Sequence, residues 1–255
     1  MKILNREISE KTARLVSAIE QSVPLPVVYE IIKTEKATPY AGRVDTSGRN
    51  GCYTVWLNNT LPRRPYETDL LHELRHIVQI QNGFPTVYNK GNSDFHSPDR
   101  AFVEEVGAHL GSVVLDVEVN KWLKDIGYDY SFFTLNNYTV LLNQADADYP
   151  NWRDPLNRAN IALSLVHAAL YVDDPHTDTL FSKYSDRYGP IVEDASALRR
   201  FILSLGVLSP DKALLAQCKL IDSLRLWSHY LVISPSQTIR TGREFLAWRE
   251  TAGPG

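Results

Sequence analysis

The first third of the chain alternates between helical and strand-like spacing of its apolar residues. Residues 5–21 place apolar side chains at helical intervals, whereas the β-branched and aromatic segments 27–32 and 53–58 are typical of strands. Between those two segments, residues 33–51 are polar and rich in proline and glycine, which predicts a loop or an irregular hairpin. These patterns together predict a small sheet preceded by one amphipathic helix.

Helical spacing predominates after the second predicted strand. One helix is predicted to begin at Pro65 and to end at Asn82-Gly83. A second is predicted to extend from the capping sequence Ser97-Pro98-Asp99 to Gly127. Further helical patterns, separated by prolines, cover residues 155–172, 176–187, 191–205 and 209–230.

The character of the chain changes near residue 130, where an aromatic and asparagine-rich segment begins and is followed by the helical patterns. We therefore predict an α+β fold in which residues 1–128 form a sheet-containing domain and residues 129–255 form a mostly helical region packed against it. A length of 255 residues with 44% hydrophobic residues is enough for one large or two small domains, each with a substantial core.

Composition and charge exclude several classes of protein. The 27 basic residues are scattered and the net charge is -3, which argues against a dedicated nucleic-acid binder. Cys52 and Cys218 are the only cysteines, so a metal would be bound by His, Asp or Glu. Asn5, Arg6 and Glu7 interrupt any signal-peptide pattern, and no stretch of about 18 uncharged apolar residues could span a membrane. We expect a cytoplasmic protein; non-classical export would leave the same pattern.

The segment 72–76 carries the chemistry on which a functional hypothesis can be built. His72 and His76 are four residues apart on a predicted helix, so their side chains share one face and can bind one zinc ion. Glu73 is placed to take a proton from a water molecule that the zinc ion acidifies. This His-Glu-x-x-His pattern is typical of zinc metallopeptidases. The alternative is a surface helix with two solvated histidines and with Glu73 and Arg75 as surface charges.

A catalytic zinc ion needs a third protein ligand. A histidine six residues after His76 would suit the metzincins, but Asn82 stands there, and Gln79 stands where that motif has glycine. The second long helix offers acidic residues and a histidine instead. On that helix Glu105, His109 and Asp116 share one flank, beside the apolar stripe.

This arrangement resembles the gluzincin branch of the zincin metallopeptidases, and among its small members the ImmA/IrrE-like group. The resemblance covers about residues 25–125 and depends on the His-Glu-x-x-His helix and on a second helix. That helix reads Glu105-Val106-Gly107-Ala108-His109 where several gluzincin families have Glu-x-x-Ala-Asp. The resemblance implies one Zn²⁺ per chain held by His72, His76 and Glu105, with Glu73 as general base and later general acid.

The histidine at position 109 departs from the gluzincin pattern. In those families the aspartate orients a ligand histidine, a role that His109 could fill through one ring nitrogen, or His109 could itself approach the metal. Glu104, His96 and His109 are therefore alternative third ligands. His167 lies in an apolar helical pattern and is predicted to be a core histidine with a hydrogen-bond partner.

The resemblance implies an endopeptidase that hydrolyses peptide bonds with zinc-activated water. A polypeptide substrate would add to the edge of a strand, for which 53–58 is the candidate. Candidate donors to the oxyanion are Tyr88, His96, Tyr128 and Tyr130. One alternative is an inactive or weakly active scaffold whose helical region binds a protein or ligand as a sensor. Another is a zinc hydrolase of non-peptide amides or esters.

Overall fold

The computed structural model describes residues 1–32, 42–48, 50–91, 97–149, 151–206 and 208–252. Within these ranges the chain is α+β, with small sheets and a mostly helical C-terminal region, as the sequence predicts. The strands are β1 (Lys2–Ile3), β2 (Arg6–Glu7), β3 (Val27–Ile31), β4 (Arg43–Asp45), β5 (Tyr53–Leu57), β6 (Thr86–Asn89), β7 (Tyr230–Ile233) and β8 (Thr238–Ile239). The helices are α1 (Glu10–Ser22), α2 (Arg63–Gln81), α3 (Ser97–Asp125), α4 (Ser131–Gln144), α5 (Pro155–Leu170), α6 (Asp174–Ser204), α7 (Pro210–Ser223) and α8 (Gly242–Ala252).

The chain forms two compact units, and each is discontinuous in sequence. The first unit comprises Met1–Asn82 and Val119–Asn136, and the second comprises Gly83–Glu118 and Asn137–Gly255. Helices α3 and α4 each contribute residues to both units. The division predicted between residues 128 and 129 does not coincide with any of the three junctions between these segments.

The first unit is built on a three-stranded sheet with the order β3-β5-β4. Strand β3 pairs in parallel with β5, and β4 pairs with β5 in the antiparallel direction. Both strands predicted from β-branched and aromatic residues are therefore confirmed. The candidate edge at residues 53–58 is wrong, because β5 is the central strand and has a neighbour on each side, so its backbone cannot receive an added strand.

Helices α1 and α2 pack together in the first unit through a buried carboxylate. Ser9 caps α1 with its side chain, so the helix begins at Glu10 and not at residue 5 as predicted. The carboxylate of Glu67 on α2 accepts hydrogen bonds from Ser9, Thr12 and Arg63 at 2.5 to 2.9 Å. Burial alone would raise the pKa of Glu67, but these hydrogen bonds outweigh it and lower that pKa. They fix the start of α2 against α1.

The second unit combines a small antiparallel sheet, β6-β7-β8, with the helical C-terminal region. Predicted helices appear as α5, α6 and α7. The predicted helices 176–187 and 191–205 form one helix, α6, with a kink at Tyr188 just before Pro190. The residues after α7 turn into β7, so the predicted helix 209–230 is too long. None of the helices in the described ranges is both long and apolar enough to cross a membrane.

Candidate metal centre

Helix α2 positions the predicted functional side chains and buries most of them. Eleven of its nineteen residues are buried, and these include the polar residues Glu67, Thr68, Asp69, His72, Glu73 and Gln79. Such burial is unusual, because polar side chains without partners cost free energy away from water. His72 is only 3% exposed and Glu73 only 5%. The alternative of a charged surface helix is therefore wrong for His72 and Glu73.

The two histidines point the same ring nitrogen at one another. His72 Nε2 lies 3.1 Å from His76 Nε2, and the ring centroids are 4.8 Å apart with the planes nearly perpendicular. Two imidazole nitrogens bound at about 2.0 to 2.1 Å to a tetrahedral zinc ion are about 3.3 Å apart. The observed separation is close to this value, so the pair fits a zinc ion with little adjustment.

Neighbouring side chains hold both rings in this orientation. The amide oxygen of Gln79 accepts a hydrogen bond from His76 Nδ1 at 2.8 Å. Because Nδ1 of His76 carries the proton, its Nε2 has the lone pair that a metal requires. The ring of Tyr130 stacks on His72 with centroids 4.2 Å apart and an interplanar angle of 13°. His76 is half-buried, so one side of the pair remains accessible to solvent.

Gly42, immediately before β4, lies against the part of α2 that carries Glu73. The amide of Gly42 donates hydrogen bonds of 2.8 Å to both carboxylate oxygens of Asp69. A Cβ atom on Gly42 would lie 2.9 Å from Glu73 Cγ and 2.9 Å from the carbonyl oxygen of Trp56, so only glycine fits this approach. Burial raises the pKa of Asp69 to about 7, although the Gly42 hydrogen bonds act in the opposite direction.

Asp116 on α3, the third acidic or histidine residue of the predicted flank, belongs to the second unit. It is buried, and its Oδ2 accepts a hydrogen bond of 3.0 Å from His167 Nε2. This contact gives His167 the hydrogen-bond partner that its apolar segment predicts.

The two predicted glutamates belong to the second unit. Glu105 is exposed on α3, and so is Glu104, which pairs with Arg100 at 3.0 Å. Glu105 as third ligand stays a prediction from the resemblance.

His109 has a different set of neighbours. Its Nδ1 donates to the side-chain oxygen of Asn160 at 3.4 Å, and its ring meets the ring of His167 edge-on at 5.8 Å. Burial and, to a smaller extent, the nearby His167 lower the pKa of His109 to about 4, so the imidazole is neutral at pH 7. His109 belongs to the second unit, and His96 lies outside the described residues.

The three described tyrosines proposed as oxyanion donors lie in different surroundings. Tyr128 is buried, and its hydroxyl bonds to Thr12 Oγ1 at 2.8 Å, which is a packing role. Tyr88 is exposed on β6 in the second unit. Tyr130 is the one of the three that contacts a residue of the candidate centre, through the ring of His72.

Comparisons with known proteins add no relative. A scan against protein-family models, a search of curated proteins and a search of solved structures each found no match.

Proposed function

We propose that this chain is a zinc-dependent metallopeptidase whose centre lies on α2. The observation that supports this most directly is the convergence of His72 Nε2 and His76 Nε2 at 3.1 Å, with Glu73 buried beside them. Buried polar residues at this density are retained where they bind or react. His72 and His76 are two of the proposed ligands, and Glu105 is the third ligand that the resemblance implies; such a nitrogen and oxygen set suits zinc.

A zinc ion bound by these residues would supply a Lewis acid that makes water a good nucleophile at neutral pH. The protein supplies the proton transfers. The carboxylate of Glu73 takes a proton from the attacking water as the new bond to the carbonyl carbon forms. It then delivers that proton to the amide nitrogen as the carbon–nitrogen bond breaks. Gln79 and Tyr130 keep the two imidazoles oriented throughout.

The proposed substrate is a polypeptide in an extended conformation. Within the described residues β4 pairs on one side only, with β5, so its other side presents backbone groups to which a strand can add. Gly42, immediately before β4, touches the segment of α2 that holds Glu73. A peptide added to β4 would therefore run close to the general base. We also propose a cytoplasmic location, because both cysteines are free thiols, as is usual in a reducing compartment.

The first experiment measures zinc in the purified wild type and in four variants. We expect one zinc per chain in the wild type, and loss of zinc in His76→Ala and Glu105→Ala. His109→Ala should keep its zinc. Asp116→Ala is the matched control for Glu105→Ala, because both remove an acid from the same face of α3. Loss of zinc in Asp116→Ala but not in Glu105→Ala would replace Glu105 by Asp116 as ligand. A wild type that binds no zinc after reconstitution would overturn the proposal.

The second experiment separates metal binding from catalysis. Glu73→Gln should keep its zinc and its fold but lose peptide cleavage by about 10² to 10⁴-fold, because the amide cannot accept the proton. Cleavage is measured on a library of unstructured peptides, with ester and non-peptide amide substrates beside it. Zinc binding without turnover of any substrate by the wild type would favour a non-catalytic scaffold. Turnover of esters alone would favour the non-peptide hydrolase.

A further inference from the structure

The second unit contains a cavity that has no part in the metal centre. It has a volume of 230 Å³ and is lined by Leu141, Gln144, Tyr149, Asn157, Asn160, Ile161, Ser164 and Tyr184. Because a water molecule occupies about 30 Å³ in the liquid, the cavity has room for roughly seven waters, or for one small organic molecule. All eight residues belong to the second unit.

One face of α5 is polar where it lines this cavity. Asn157, Asn160, Ile161 and Ser164 follow the spacing that places side chains on one helical face. The opposite side of α5 is apolar and buried in the core of the unit; it includes Ala159, Ala162, Leu163 and Val166. Packing alone would favour apolar residues on both sides, since polar groups gain nothing from contact with leucine and isoleucine. The polar face therefore indicates a polar occupant.

The orientation of two polar groups in the wall is fixed by their partners. The side-chain oxygen of Asn160 accepts a hydrogen bond from His109 Nδ1, so its amino group remains to donate. The hydroxyl of Tyr184 donates to the carbonyl oxygen of Leu141 at 3.0 Å, so it is the acceptor in its 3.4 Å contact with the Tyr149 hydroxyl. The oxygen of Tyr149 then remains to accept. The cavity thus presents both donors and acceptors.

None of the lining residues carries a charge. A charged ligand would lose its hydration here without an opposite charge in return, which is costly. A hydroxyl group, by contrast, is both donor and acceptor and matches a wall of amides and hydroxyls. We propose that this cavity binds an uncharged polyhydroxylated molecule of about the size of a monosaccharide. The site does not depend on the metal or on peptidase activity.

Ligand-observed NMR on the full-length wild-type protein tests this proposal. The probes are glucose, ribose and myo-inositol, with gluconate as a charged probe and cyclohexanol as an apolar probe of similar size. We expect saturable binding of at least one polyol with a dissociation constant in about the millimolar range, as its few atoms allow. Neither gluconate nor cyclohexanol should compete with it. Absence of binding by all three polyols, or tighter binding of either control probe, would overturn the proposal.

Variants then locate the binding site. Asn160→Leu should weaken polyol binding about tenfold or more, since it removes a hydrogen-bonding group and fills the cavity. Gln144→Leu replaces an exposed lining residue and does not disturb the core. If Asn160→Leu fails to fold, a lower affinity of Gln144→Leu for the polyol shows that the polyol binds in this cavity. Asn143→Leu, an exposed neighbour that does not line the cavity, is the matched control and should bind as the wild type does. Unchanged affinity in Gln144→Leu and in folded Asn160→Leu would show that the polyol binds elsewhere.

Discussion

The amide oxygen of Gln79 determines which nitrogen of His76 is available to a metal. By accepting the proton on Nδ1, it leaves the lone pair on Nε2, which faces His72. A histidine without such a partner divides its population between two tautomers and several ring orientations. A single buried amide thus makes the histidine pair ready for a metal before any ion arrives.

Replacing Gln79 should therefore weaken zinc binding without removing a ligand. We expect Gln79→Leu to raise the zinc dissociation constant by about 10 to 100-fold, as loss of a partner that orients a ligand does elsewhere. The measurement is competition with a chelator of known affinity. Gln81→Leu is the control, because Gln81 lies on the same helix but donates to the Tyr53 hydroxyl. Equal affinities in the two variants would show that the Gln79 contact has no role in metal binding.

Asp69 should give the free energy of unfolding an unusual pH dependence. Its pKa is about 7 in the folded protein and about 3.8 when unperturbed, so between those values the folded state holds a proton that the unfolded state has lost. The free energy of unfolding should consequently decrease as pH rises from about 4 to about 7, and change no further above that. Urea unfolding of wild type and Asp69→Asn at several pH values across this interval measures the decrease in the free energy of unfolding.

Asp69→Asn should gain stability relative to the wild type as the pH rises from about 4 to about 7.

Asp129 provides a comparison of opposite sign, because hydrogen bonds from Ser131 lower the pKa of Asp129. Its stabilising contribution is present above about pH 4 and is lost as the pH falls. Asp129→Asn should therefore lose stability relative to wild type as the pH rises to about 4. A constant difference between Asp69→Asn and wild type from pH 4 to 7 would contradict the role given to Asp69.

The site residues on α2 could be predicted from the sequence because their spacing is local. His72, Glu73 and His76 need only a helix to share one region of space. The third ligand could not be predicted in this way. Glu105 and Asp116 occupy the same flank of α3, and periodicity alone cannot say which turn of that helix lies beside the histidines. That choice depends on packing between elements, which no local pattern contains.

At the scale of elements, α3 contains two glycines one turn apart with contrasting surroundings. A Cβ on Gly107 would lie 2.9 Å from Tyr230 Cε1, and that tyrosine is buried and held by a 2.7 Å hydrogen bond from its hydroxyl to the carbonyl oxygen of Val103. A Cβ on Gly111 would meet nothing within 4 Å. Packing thus favours glycine at position 107. At position 111 glycine has no such reason and only lowers the stability of the helix.

These two positions should respond to alanine in opposite directions. Gly107→Ala should lower the free energy of unfolding by about 1 to 3 kcal/mol, because the tyrosine must shift in a packed core. Gly111→Ala should raise it by about 0.5 to 1 kcal/mol, through the better helix propensity of alanine. Chemical denaturation of both variants provides the comparison. Destabilisation of similar size in both would show that the contact with Tyr230 is not the cause.

Helix α4 shows where local patterns are insufficient to predict an element. Its sequence is rich in asparagine and in aromatic and β-branched residues, which have low helix propensity, and no helix was predicted there. Tertiary contacts favour the helix, since Phe133 is buried in the core of the first unit and Tyr138 and Leu141 in that of the second. Helix α5, by contrast, has Asp154 as cap and Pro155 in its first turn, so its start was predictable.

At the scale of the whole molecule, each unit has its own hydrophobic core built from distant segments of sequence. In the first unit, Val119, Leu123, Tyr128 and Phe133 complete a core otherwise made by residues 3–77. In the second, β6 near residue 86 pairs with β7 near residue 233. Such non-local pairing leaves no trace in a periodicity, so the sequence could predict two of the three strands of the first sheet but not this second sheet.

A fragment of residues 1–82 should be unfolded when it is made alone. It contains the sheet and the candidate histidines, but it lacks Val119, Leu123, Tyr128 and Phe133, which are buried in the same core. Losing several large core side chains exceeds the free energy that stabilises a small domain. Circular dichroism during heating tests this, with the full chain as the control. A cooperative thermal transition in the fragment would contradict it.

The discontinuity of the first unit also affects how the protein is synthesised. Its sheet and α2 are complete once residue 82 has been added, yet its last segment ends 54 residues later, at Asn136. At about 5 to 20 residues per second, a ribosome needs roughly 3 to 11 s to cover that distance. During this interval the core of the first unit lacks Val119, Leu123, Tyr128 and Phe133, so its apolar residues have no complete set of partners until the last segment is made.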